Sequence, residues 1–246
     1  ALAIAGSCCQ TVEEFVARMN ETAARLDMEH THFANPNGLD DPEHYSTAYD
    51  MALLAKACLE NEAVARICAT RSITVGSRTF VNHNRLLAEY DGCVGMKTGY
   101  TQRAGRTLVS AARREGQTLI CVTLDDPDDW QDHEQLLDYG FATYPSTQLC
   151  QQGQGMGQIP LAGSLLPSLE AVTAQAVRFP LAQGETPTLE VELIGSLQAP
   201  VQAGQAVGRA VWTLDGQEVA STQLICAVGA ASDLYTPDGW WARLWQ

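Results

Sequence analysis

The 246-residue sequence predicts an α+β unit, an antiparallel sheet flanked by helices, followed by a small all-β sandwich. Three observations carry this. Apolar side chains recur at helical spacing up to Ala69. From Ser72 the apolar period becomes two, with turn residues between the runs. Beyond Leu169 the period-two runs continue with no helical stretch, after a segment rich in Gln, Gly, Ser and Pro.

The elements follow in order. Ala1 to Gly6 reads as the tail of a helix whose beginning is missing. A helix from Thr11 to Met28 carries Val12, Phe15, Val16, Met19, Ala23 and Leu26 on one face, and Thr11 with Glu14 forms a capping-box pattern. Pro, Asn and Gly between Thr31 and Pro42 predict consecutive turns. A second helix runs from about Thr47 to Glu60, with Thr47 and Asp50 placed to cap it, and a short third from Asn61 to Ala69. Strands are predicted at Ser72 to Val75 and Thr79 to Val81, around a turn containing Gly76. Further strands are predicted at Thr107 to Ala111 and Thr118 to Leu124, joined by Arg113-Arg114-Glu115-Gly116. Asp125 to Asp129 makes an acidic turn before a closing helix from Trp130 to Tyr144.

Residues 1–146 therefore form the first unit, and 147–168 read as a linker. Residues 169–235 form the β-rich domain, with runs at 171–177, 188–193, 206–214 and 218–227 and a hairpin signal at Asp215-Gly216. The tail, 236–246, holds Trp240, Trp241 and Trp245. Two readings of it stay open: the start of a membrane anchor, since tryptophan favours bilayer interfaces, or aromatics packed on the β domain.

Composition excludes several functions. With 46% hydrophobic and 18% charged residues the chain is an ordinary globular sequence. Its net charge of −14, offset by no basic stretch, excludes a nucleic-acid partner. No apolar run reaches the ~18 residues of a membrane span, and Ala1 to Ser7 lacks the positive flank of a signal peptide. The eight cysteines show no C-x-x-C spacing and read as small buried hydrophobes. His30-x-His32 has no third ligand at a matching distance in sequence. Asp125 to Asp129 lacks the alternation of a calcium loop and reads as acids at a helix start. No metal or cofactor is expected. His133 and Glu134 read as surface residues, and Ser46 and Thr47 as caps rather than nucleophiles.

Lys97-Thr98-Gly99 is the chemistry-bearing tripeptide. It sits within Val94-Gly95-Met96-Lys97-Thr98-Gly99-Tyr100-Thr101, followed by Ala104-Gly105 and Leu108-Val109. Upstream lie Asn35-Pro36-x-Gly38-Leu39, Ser46-Thr47-Ala48-x-Asp50 and Asn82-x-Asn84-x-Leu86-Leu87; downstream lies Leu136-Leu137-Asp138-Tyr139-Gly140-Phe141. In this order they resemble the serine-type D-alanyl-D-alanine carboxypeptidases, low-molecular-mass penicillin-binding proteins. Ala199-Pro200-x-x-Ala203-Gly204-Gln205-x-Val207-Gly208 is similar to a turn region of that family's C-terminal domain. The resemblance implies an incomplete penicillin-binding/β-lactamase-like transpeptidase domain ahead of the β domain.

It also implies acyl transfer through a serine ester, directed by Ser-x-x-Lys, Ser-x-Asn and Lys-Thr-Gly. On that basis Lys97 supplies positive charge beside the nucleophile and the substrate carboxylate. Thr98 hydrogen-bonds that carboxylate, Gly99 lets a substrate backbone lie along the strand, and the Tyr100 N–H is an oxyanion donor. Many relatives carry His where Tyr100 stands. The implied partners are peptidoglycan stem peptides and β-lactams, and the implied site is outside the cytoplasmic membrane. No serine in the sequence begins a Ser-x-x-Lys or a Ser-x-Asn. The expectation is thus a C-terminal fragment that is inactive alone. A serine β-lactamase relative and a non-catalytic peptidoglycan-binding scaffold stay open as alternatives.

Overall fold

A computed structural model describes residues 1–233. The chain divides into two units, Ala1–Ala142 and Thr143–Gln246. The tryptophan-rich tail lies outside the described residues.

The first unit begins with four helices, α1 (Leu2–Cys8), α2 (Val12–Arg25), α3 (Ala48–Glu60) and α4 (Glu62–Ala69). Their starts are those the capping residues dictate. Thr11 accepts from the Glu14 N–H, Thr47 from the Asp50 N–H, and Asn61 from those of Ala63 and Val64. Each cap satisfies amides that the first helical turn cannot, an effect of about 1 kcal/mol. Strands β1 (Ser72–Val75) and β2 (Arg78–Val81) make a separate hairpin, exposed along its whole length. One turn of helix, α5 (Leu86–Glu89), then leads into the main sheet.

That sheet has three antiparallel strands, β3 (Cys93–Thr101), β4 (Gly105–Arg114) and β5 (Gln117–Leu124), in the order β3-β4-β5. The β4–β5 turn is Glu115-Gly116, with φ of 49° and 81°. Positive φ at both positions matches the right-handed twist of the flanking strands. Helix α6 (Asp129–Thr143) closes the unit.

Strand β4 is covered on both faces. Leu108 and Ala112 share a core with Leu86, Tyr90, Cys121 and Leu137, beneath α5 and α6. Val109 and Ala111 share another with Ala55 and Met96, against which Met51, Cys58 and Cys68 of α3 and α4 pack. The approach of α4 to β3 requires a glycine: a Cβ on Gly95 would lie 2.9 Å from both the Cβ and the carbonyl oxygen of Cys68.

The described residues of the second unit form strands around a core that includes Ile159, Leu169, Val207, Trp212 and Leu224. Its strands are β6 (Ser146–Cys150), β7 (Gly155–Ala162), β8 (Ser168–Thr173), β9 (Val177–Pro180), β10 (Thr188–Leu193), β11 (Leu197–Gln198), β12 (Ala206–Leu214) and β13 (Gln217–Cys226). Six form a sheet in the order β10-β12-β13-β8-β7-β11, and β6 pairs with β9. Residues 147–168, expected as a linker, are mostly β6 and β7. Alternate residues of β7 are buried, Ile159 at 1% exposure and Leu161 at 7%, and that period outweighs the turn-forming composition around it.

A second correction concerns His133, which is not a surface residue but fully buried. Its Nδ1 lies 2.6 Å from Ser110 Oγ and its Nε2 3.1 Å from Thr123 Oγ1, so it joins α6 to β4 and β5. Among the eight cysteines Cys8 is exposed, Cys58, Cys68 and Cys93 are half-buried, and the other four are buried; none forms a disulfide.

Burial pushes the His133 pKa down from 6.5 to about 4, against the opposing pull of Asp129 and Asp126. The unfolded chain therefore binds the proton that the folded one refuses. Stability from this site is complete above pH 6.5 and falls as pH drops from there through about 4. His133→Gln, compared by urea midpoints across that window, is expected to flatten this part of the pH dependence. Parallel curves for the two proteins would contradict the assignment.

Candidate active site

Lys97-Thr98-Gly99-Tyr100 lies on β3, which pairs with β4 through Lys97↔Val109, Thr98↔Leu108, Gly99↔Thr107 and Tyr100↔Arg106. Because β3 is the outer strand of its sheet, its other edge has no strand partner among the described residues. Main-chain groups along such an edge are available to an extended peptide. Lys97 and Tyr100 are exposed. Lys97 Nζ donates to the carbonyl oxygen of Thr98 at 2.6 Å. Lys97 and Val109 share a face, that of α4, where the ammonium group pulls down the Cys68 thiol that burial pushes up.

Gly99 has a structural reason of its own. A Cβ there would stand 2.4 Å from Thr107 Oγ1 on the paired strand. The position thus keeps β3 flat against β4, as well as leaving the strand bare.

The Asn35-Pro36-x-Gly38-Leu39 segment closes on Asn35. Its Oδ1 accepts from the N–H groups of Gly38 and Leu39, and its Nδ2 donates to the Leu39 carbonyl. Asn20 on α2 clamps the same loop by exchanging two hydrogen bonds with the Phe33 backbone. The Ser46-Thr47-Ala48-x-Asp50 segment supplies the deeper anchor. Asp50, 2% exposed, accepts from the His30 N–H at 2.9 Å and the Thr31 hydroxyl at 2.6 Å. The Thr31 hydrogen bond holds the Asp50 carboxyl below the usual carboxylate range, against the opposing effect of burial.

Asn82 bridges the strand pair to α4, donating to the carbonyls of Cys68 and Thr70 and accepting from the Asn84 N–H. Asn84 starts α5 by accepting from the Leu86 N–H, and its Nδ2 is buried with no hydrogen-bond partner. His30 and His32 do not come together on a metal. The backbone of the first binds Asp50; the ring of the second stacks on Tyr45, with Nδ1 2.5 Å from the Glu43 carbonyl. Of the acidic run, Asp129 opens α6 and pairs with Arg106. Among the described residues, no three His, Cys, Asp or Glu side chains gather as metal ligands.

Comparison with known proteins places the chain in a family. A family profile described as D-alanyl-D-alanine carboxypeptidase matches residues 1–128, just over half the chain. The chain belongs to that family. A second profile, the C-terminal domain of penicillin-binding protein 5, matches residues 144–230. The D-alanyl-D-alanine carboxypeptidase DacF of Bacillus subtilis is 31% identical over 85% of this chain and 57% of its own length. For DacA of Haemophilus influenzae the figures are 30%, 91% and 59%. This chain thus spans less than two thirds of these relatives. The crystal structure of penicillin-binding protein 5 from Haemophilus influenzae aligns with a TM-score of 0.62 at 28% identity, covering 93% of this chain and 69% of that one. The fold expected from sequence, helices and antiparallel sheet followed by a β-rich domain, is the fold of the family.

Gly99→Ala is expected to lower stability by about 1–3 kcal/mol through overpacking against Thr107. Adding Thr107→Ala should recover part of the loss, read as a coupling energy in a double-mutant cycle of urea midpoints. Strict additivity would mean the close approach is not what constrains the glycine.

Proposed function

We propose that this chain supplies the Lys-Thr-Gly side of a serine-type D-alanyl-D-alanine carboxypeptidase site, which removes the terminal D-alanine from peptidoglycan stem peptides. The observation that carries it is the bare outer edge of β3, bearing the tripeptide in a chain that the family profile matches. A serine attacks the carbonyl between the two D-alanines, D-alanine leaves, and water hydrolyses the resulting ester. Lys97 supplies the positive charge beside the nucleophile and the substrate carboxylate. Thr98 hydrogen-bonds that carboxylate, and Gly99 leaves room for the substrate backbone along the strand. The Tyr100 backbone N–H is one of two oxyanion donors, worth about 3 kcal/mol in the transition state.

No serine in the sequence heads a Ser-x-x-Lys, so the reading assigns the nucleophile to residues outside these 246. β-Lactams are the expected acylating inhibitors, and no metal or cofactor takes part. Stem peptides lie outside the cytoplasmic membrane, which puts the enzyme in the cell envelope. Anchoring to the membrane is assigned to the tail holding Trp240, Trp241 and Trp245. Among the described residues no helix is long and apolar enough to cross a membrane.

Labelling with a fluorescent penicillin tests the reading. The expected result is labelling of a version extended upstream through the acylating serine, and none of the 246 residues alone. In the extended protein Lys97→Ala should slow acylation by a factor of about 100 or more. Labelling of neither form would favour a non-catalytic peptidoglycan-binding protein. Labelling of the short chain would place the nucleophile within it.

A further inference from the structure

The end of β3 is tied to a distant part of the chain by one side chain. Thr101, the residue after Tyr100, donates its hydroxyl hydrogen to Asp40 Oδ1 at 2.7 Å. Thr101 Oγ1 in turn accepts from the Ala104 N–H at 2.9 Å, across the turn that returns the chain into β4. The Thr101 hydroxyl therefore has a donor and an acceptor role filled at once, and its rotamer is fixed from both sides. Thr101↔Gly105 is the last rung of the β3–β4 ladder. An outer strand with one neighbour frays first at such a rung.

Asp40 can hold that end because its own loop is held elsewhere. Asn20 grips the loop at Phe33, Asn35 closes the turn up to Leu39, and buried Asp50 fixes His30 and Thr31. The Asp40 carboxylate thus reaches β3 from a fixed base and accepts a charge-assisted hydrogen bond.

We propose that Asp40 is a positioning residue for acylation: through Thr101 it fixes the end of β3 that carries the Tyr100 amide. The role rests on the carboxypeptidase reading given above. An oxyanion donor displaced by a fraction of an ångström loses much of its effect, because its alignment is needed only in the transition state.

The test uses the full-length protein with Asp40→Ala, Asp40→Asn, Thr101→Val and Thr101→Ser, each read in two ways. Amide hydrogen exchange across 99–105 reports the latch, and the rate of acylation at saturating penicillin reports the site. Asp40→Ala and Thr101→Val are expected to speed exchange at Ala104 and to slow acylation about tenfold, the scale of one charge-assisted hydrogen bond. Ser keeps the hydroxyl at 101 and should restore exchange and rate to near the parent values, while Asn keeps a neutral acceptor at position 40 and should recover part of both. Asp40 is exposed, so its removal should leave the fold intact, which circular dichroism checks.

Acylation by Asp40→Ala at the parent rate would overturn the proposal, as would an Asp40→Asn protein as slow as Asp40→Ala. If the parent protein is not acylated at all, the carboxypeptidase reading fails and the positioning role with it. Exchange at Ala104 would then still show whether the latch exists. Parent acylation with unchanged exchange and rate in Asp40→Ala would sink both the latch and the positioning role, and would leave the carboxypeptidase reading standing.

Discussion

Everything in the first unit depends on the burial of β4. Its side chains alternate between two cores, Leu108 and Ala112 toward α5 and α6, Val109 and Ala111 toward α3 and α4. A strand closed on both faces and paired along both edges has no freedom of register, since a slip by one residue would exchange the two cores. That fixes β3 as well. The register Lys97↔Val109 and Gly99↔Thr107 follows from what β4 buries, and the tripeptide takes its place on the outer edge as a consequence. The reactive strand is thus set by a neighbour that takes no part in the chemistry.

Polar anchors do for the loops what the cores do for the strands. Asp50 is buried yet charged, and it stays so because Thr31, the His30 backbone and its own helix start surround the carboxylate with donors. His133 solves the opposite problem. It is buried neutral, and the Ser110 and Thr123 hydroxyls accommodate its two ring nitrogens. One group keeps its charge and the other gives it up. The difference lies in whether the surrounding dipoles offset the loss of water.

Much of this was legible in the sequence. Thr11, Thr47 and Asn61 mark helix starts by a local mechanism, a side-chain oxygen within reach of free amides, and the helices begin there. The Asp215-Gly216 hairpin is equally local, with φ of 52° and 80° at its two turn residues. What sequence reading missed depends on partners far along the chain. His133 sits among Asp132 and Glu134 on a helix and carries no sign of burial, because its partners are 23 and 10 residues away. Asp40 and Thr101 are separated by 61 residues, and no period or motif links them. Strand β11 has two residues, too few to show a period. Strand β7 includes Gly155, Gly157 and Pro160, which read as turn residues until β8 is laid beside them.

The distribution of the cysteines has a practical side. Four thiols are buried and three half-buried, and burial raises the pKa of all seven. Each is therefore both shielded and short of the thiolate that alkylating reagents need. Cys8, at the end of α1, stands apart in the open. A short exposure to a maleimide dye would mark the folded protein at that one position, giving a fluorophore or spin label on α1 without removing a single native cysteine.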